Sequence, residues 1–292
     1  MKTMKELRIA RNLAAVVVLT FGMSACTQND EPGTDSIQAP HTAVNIMAGV
    51  QQGAATRVAG IEGNGFGEGT KITILDKNNA TTKAVFTKGV DAAWTSETPL
   101  YWDDLTKDSG KETFSFVGIY PNDASLTYTV GDPNEILMAF ADNQAAKSSE
   151  VQFDFKHVLS KLTLTIEPDA TISSITSPVI TLKGIKKSVT FNYENTDGFA
   201  NFQLAAGEGE DYSVNDATID GKNVTREFLV PAQLISALTF TATGLSEHTY
   251  KTIDLKQGQN LKLTLTLTKS GFVPKSVSVT DWTTDNKTGQ FD

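Results

Sequence analysis

The sequence predicts an all-β protein: antiparallel β-sandwiches in tandem, behind a cleavable N-terminal segment. Three observations carry this. Short runs alternate apolar and polar residues with a period of two, Asn, Asp and Gly cluster between them, and helical periodicity is scarce. Period-two alternation turns one face to a core and the other to water, and β-branched residues favour it. Asn, Asp and Gly tolerate the left-handed backbone that tight hairpins need.

The first 25 residues stand apart. Lys2, Lys5, Arg8 and Arg11 precede the apolar run Leu13 to Met23. Ser24 and Ala25 then lead to Cys26, the one cysteine among 292 residues. Charged, apolar and small-residue regions in this order make a secretory signal. The apolar run is shorter than the ~20 residues of a spanning helix, and no later stretch approaches that length. "MSAC" has the form of a bacterial lipobox, so residues 1–25 read as a signal peptide and Cys26 as the lipidated residue. An ordinary secretory signal with an incidental Cys26 is the alternative. Residues 26–40 read as a polar tether. Several acyl chains would hold firmly, because each buried methylene contributes about 0.8 kcal/mol. A single cysteine leaves no internal disulfide and no Cys-based zinc site.

The remaining elements follow in chain order. "KITIL" sets Ile72 and Ile74 on one face, and "SLTYTV" does the same with Leu126, Tyr128 and Val130. "KLTLTI" offers Leu162, Leu164 and Ile166, and "SVTFNY" offers Val189, Phe191 and Tyr193. Leu238 and Phe240 alternate, as do Leu261, Leu263, Leu265 and Leu267. Turns fall at Asp76 to Asn79, Pro121 to Asp123, Asn195 to Gly198, Asp220-Gly221 and Gln257 to Asn260. "ILMAFADNQAAKS" reads as a short helix or a loop. The strand count and length favour two domains, 41–153 and 154–292, with the polar run "ADNQAAKSSE" before the boundary.

No constellation for catalysis emerges, and no cofactor or metal is implied. The glycine-rich stretch 60–70 lacks the Lys-Ser/Thr of a phosphate loop. His41, His157 and His248 have no ligand spacing. His157, near Ser160 and Lys161, has no nucleophile elbow and reads as structural. Asp103 and Asp104 would point to opposite faces of a strand, which makes no general acid/base pair, and they read as a solvated turn. "NTDG" around Asp197 lacks the ligand ladder of a calcium loop. Trp94, Tyr101 and Trp102 read as packing residues first and as a sugar-stacking platform second. Lys and Arg number 25 against 34 Asp and Glu, a net charge of −9, and no basic patch marks a nucleic-acid partner.

Several stretches together resemble the fimbrillin family, the pilus-forming surface lipoproteins of Bacteroidales-type bacteria. They are the lipobox, "ATRVAG" after "AVNIMAG", "PLYWDD" followed by "FSFVGIYP", "FDFKHVLSKLTLTI", and "GQNLKLTLTL" followed by "VSVTDWTTD". The resemblance implies two tandem transthyretin-like β-sandwich domains and a surface-exposed outer-membrane lipoprotein that enters a fimbrium. It implies proteolytic processing after Arg57, in the segment following the first strand. Its partners would be other fimbrial subunits, as homo- or hetero-polymer, the outer membrane through the lipid, and a host protein or glycan. "DSI", Asp35 to Ile37, resembles an O-glycosylation site of the same organisms.

The physics of that step is general. A strand removed from a sandwich uncovers apolar side chains and a row of unpaired backbone groups. A strand from the next subunit satisfies both, and such a head-to-tail contact builds a filament. At the C-terminus, Val277 and Val279 alternate with Ser276, Ser278 and Thr280, a short run for a donor. A lipid-anchored adhesin or glycan-binding protein that does not polymerise, at a tip or accessory position, is the alternative.

Overall fold

The computed structural model describes residues 41–50, 61–62, 65–91, 93–122, 125–132 and 135–282. Cys26, Arg57, the Asp35 to Ile37 triplet and everything past Trp282 lie outside the described residues. The first half holds β1 (Ile46–Val50), β2 (Ile61–Glu62), β3 (Gly65–Phe66), β4 (Lys71–Asp76), β5 (Asn79–Lys88), β6 (Trp94–Thr95), the helix α1 (Trp102–Ser109), β7 (Thr113–Tyr120), β8 (Thr127–Thr129), β9 (Leu137–Ala145) and β10 (Val151–His157). The second half holds β11 (Ser160–Pro168), β12 (Val179–Ile185), β13 (Ser188–Thr196), β14 (Phe199–Leu204), β15 (Glu210–Val214), β16 (Thr218–Asp220), β17 (Asn223–Val230), β18 (Leu234–Ile235), β19 (Ala237–Ala242), β20 (Leu245–Tyr250), β21 (Ile253–Asp254), β22 (Gln259–Thr268) and β23 (Gly271–Asp281).

A seven-stranded sheet, β1-β10-β9-β7-β4-β5-β6, organises the first half. Its centre is buried on both sides. Ile72, Ile74, Phe114 and Phe116 face one core, while Leu75, Val117, Ile119 and Met138 belong to the other. Gly118 lies where the Phe155 ring crosses the sheet; a Cβ there would sit 2.6 Å from the ring. Two-sided burial also explains "ILMAFADNQAAKS". Expected as a helix or loop, it contains strand β9, paired with β7 and β10. With Leu137, Met138, Ala139 and Ala141 all buried, the alternation that marks a half-wet strand is lost.

In the second half, the five-stranded sheet β16-β17-β11-β22-β23 and the four-stranded sheet β15-β12-β19-β20 share one core. Leu162, Leu164 and Ile166 of β11, Leu263, Leu265 and Leu267 of β22, and Ile180, Leu182, Leu238 and Phe240 all fill it, as their alternation predicts. The hairpin turn at Asp197-Gly198 joins β13 to β14, with both residues at positive φ. Among the described residues the pairing is antiparallel except for β1 with β10 and β11 with β22, which run parallel. Strand β10 runs unbroken across positions 153 and 154, and Gly258 folds the β22 entry back over the link from β10 to β11. Its φ is +69°, and an added Cβ would lie 2.4 Å from the Phe199 ring.

Candidate functional site

Two edge strands, β1 and β23, are built differently. Strand β1 is short and deeply seated. Its backbone runs in register along β10, from Ile46 opposite Val151 to Val50 opposite Phe155. Val44, Ile46, Ala48 and Val50 are buried in the first core with Phe153, Phe155 and Trp102. Only the opposite face, with Met47, is open to water. At the end of its sheet, β1 has one strand neighbour among the described residues, and it is followed by residues 51–60, which contain Arg57.

The approach to β1 is fastened separately. Val44 N–H donates to Leu100 O at 2.8 Å and Trp102 N–H to Thr42 O at 2.9 Å. Asp103 and Asp104, expected on a strand or solvated turn, lie in the first turn of helix α1 instead. Acidic residues suit the positive end of a helix, and Gly110 closes the other end in a left-handed conformation. Thr42 N–H donates to Asp103 Oδ2 at 2.6 Å, Lys147 lies 3.5 Å from Asp103, and His41 lies 3.7 Å from Asp104. The Thr42 hydrogen bond, with Lys147 adding to it, holds the Asp103 carboxyl below the usual aspartate value.

Strand β23 is long and shallow. It pairs with β22 from Gln259 opposite Asp281 to Thr268 opposite Gly271. Yet Val273, Val277 and Val279 are 52%, 48% and 49% exposed. Val277 and Val279 stand opposite Leu263 and Leu261 and share their face of the sheet, yet both stay half exposed. The strand ends at Trp282, which is buried and stacks on His157.

The remaining candidates find structural places. His157, read as structural, is fully buried against Glu135. Glu135 was missed; it sits 22 residues upstream with no pattern to link the two. Trp102 is buried beside Phe114 and Phe116, and Trp94 packs edge-on to Phe66. Tyr101 meets His41 edge-on, so the three aromatic residues do not form one platform. His248 packs near Phe272. A cleft of about 140 Å³ between Tyr128, Tyr212 and Arg226 has Arg226 paired with Asp216 and Glu227 with Lys161, while Asp132 on its wall accepts from Thr129 N–H.

Residues 56–282 match the family model described as fimbrillin-like. Two crystal structures, each of a candidate cell adhesion protein, share the fold. One, from Bacteroides uniformis, is 19% identical with a TM-score of 0.57, covering 86% of this chain and 100% of its own. The other, from Bacteroides ovatus, is 15% identical with a TM-score of 0.59, covering 85% of this chain and 100% of its own. At these identities the likeness is one of fold alone. No protein with a curated description matches the sequence.

Proposed function

The chain belongs to the fimbrillin-like family, and from that membership we propose that it is a fimbrial subunit whose first strand is a removable plug. The polypeptide is exported as a lipoprotein held at the outer membrane through Cys26, cut after Arg57, and joined to other subunits by strand replacement. One observation carries this reading: β1 is an edge strand whose buried residues complete a core, while the chain that follows it contains Arg57. Losing β1 opens the hydrogen-bonding edge of β10 and the pocket of Ile46, Ala48 and Val50. An extended segment from another subunit meets both needs at once.

The arginine content supports a selective cut. Beyond residue 26 the sequence has two arginines, Arg57 and Arg226. Arg226 lies inside β17, opposite Leu164 of β11 and one residue beyond the β16 pairing. A protease that must draw its substrate into an extended groove is barred from that ladder.

A second reading has its own support. A replacement for β1 needs three apolar residues at alternate positions, and β23 offers Val277 and Val279 followed by Asp281. This favours an adhesin at the end of a filament, which receives a strand without giving one. Treating the full chain with an arginine-specific protease separates the two. Ladders on a native gel after a single cut at Arg57 support a subunit that both gives and receives. A clean cut that leaves only monomer supports the terminal adhesin.

A further inference from the structure

The C-terminal edge strand is closed by one deep contact, and that contact covers a buried Glu–His pair. The Trp282 indole lies flat on the His157 ring, with centroids 4.0 Å apart and planes within 4°. Its backbone N–H donates to Gly258 O at 2.7 Å. Beneath it, His157 Nδ1 lies 2.7 Å from Glu135 Oε1, and both side chains are sealed from water. Glu135 Oε2, His157 Nε2 and Trp282 Nε1 are all buried without a hydrogen-bond partner in the protein. The cluster joins four places in the chain: the approach to β9, the end of β10, Lys161 of β11 with its Nζ 6.0 Å over the indole, and the residue after β23. No residue of β23 itself is fully buried.

Such a pair is held at a desolvation cost that water would relieve. The indole keeps water out, and the β23 ladder keeps the indole in place. We propose that Trp282 is a latch on β23: seated, it holds the strand to its sheet, and lifted, it admits water to Glu135 and His157, whose solvation then favours the released strand. This rests on the first reading above, a subunit that gives a strand as well as receiving one, and it names what restrains the C-terminal end beforehand.

The latch responds to pH. The charged and titratable groups facing the pair are Lys161 from β11 and Tyr128 from β8; behind them, Glu227 of β17 pairs with Lys161 at 2.8 Å, and Asp132 acts on Tyr128. Burial pushes the Glu135 carboxyl above the ordinary 4.5, against the opposing pull of His157. A protonated Glu135 is easier to bury, so acid holds the latch shut and rising pH loosens it.

Hydrogen exchange of the full, uncut chain, read peptide by peptide, tests this. Trp282→Ala is expected to speed exchange across residues 271–281 at least tenfold while β4 and β7 keep their protection. The double change Glu135→Leu, His157→Leu keeps β23 protected, because no buried polar pair remains to solvate. Glu135→Gln removes the extra loosening of β23 at higher pH that remains after correction for intrinsic exchange. Unchanged exchange at 271–281 in Trp282→Ala overturns the proposal. So does loosening spread evenly over every sheet, or a double variant that frees β23 as fully as Trp282→Ala does. A chain that fails to assemble after its cut leaves these rates untouched, so the latch and the assembly reading fail separately.

Discussion

Strands β1 and β23 are both sheet edges, yet they are held by opposite means. Strand β1 has five residues and hides three of their side chains, with Val44 just before it. Strand β23 has eleven residues, and its valines stay half in water. The first is retained by burial, at about 25 cal/mol per Å² of apolar surface. The second is retained by a ladder whose hydrogen bonds each add only about 0.5–1.5 kcal/mol net, and by Trp282 at its end. Length along an edge is therefore a poor guide to how firmly a strand is held. A plug needs burial to keep the precursor intact, whereas a strand that will leave needs a local fastening that can be undone.

The comparison can be broken at several points. The largest effect is expected at the fastening. Glu135→Leu alone strands His157 in a dry site and should cost about 3–5 kcal/mol in urea unfolding. Adding His157→Leu should recover most of that loss. Next, Ile46→Ala in β1 should cost about 2–5 kcal/mol, since the cavity it leaves is enclosed. Val277→Ala on β23 should cost below about 1 kcal/mol, because that side chain is half solvated already. Equal losses at Ile46 and Val277 would contradict the contrast between the two edges.

The pH response sharpens the same contrast. Glu135 has a raised carboxyl, so its stabilisation is complete below 4.5 and is lost as pH climbs through its folded value. Asp103 has a lowered one, so its stabilisation is present above 3.8 and is lost as acid titrates it. Acid should thus tighten the anchor of β23 and loosen the approach to β1. Hydrogen exchange at residues 42–46 and 271–281 across pH 3–8, corrected for intrinsic rates, should show the two trends diverging.

How much of this was legible in the sequence depended on one-sided burial. Strands β11 and β22 stand out because Leu162, Leu164 and Ile166, and Leu263, Leu265 and Leu267, alternate with Lys and Thr on a wetter face. Strand β9 was hidden because both of its faces are dry, which leaves an apolar run without a period. Helix α1 was passed over although "WDDLTKDSG" carries an acidic start and a glycine stop, because eight residues hold barely two turns of pattern. The parallel partnership of β1 with β10 joins residues about a hundred positions apart, and no local signal encodes such a pairing. His157 was readable as structural; Glu135, its partner, became visible only once β9 and β10 were side by side.

The central claim, that β1 must leave before subunits join, is tested most directly by tying it down. Met47 and Gln152 face each other in register, and both are exposed. Two cysteines there, in a chain with Cys26→Ser, can bridge β1 to β10, since strand neighbours lie within the usual reach of a disulfide. The measurement is the size distribution by analytical ultracentrifugation after a complete cut at Arg57. The account predicts monomer while the bridge is oxidised and polymer once it is reduced. Polymer of the same size in both states, or monomer in both, would contradict it.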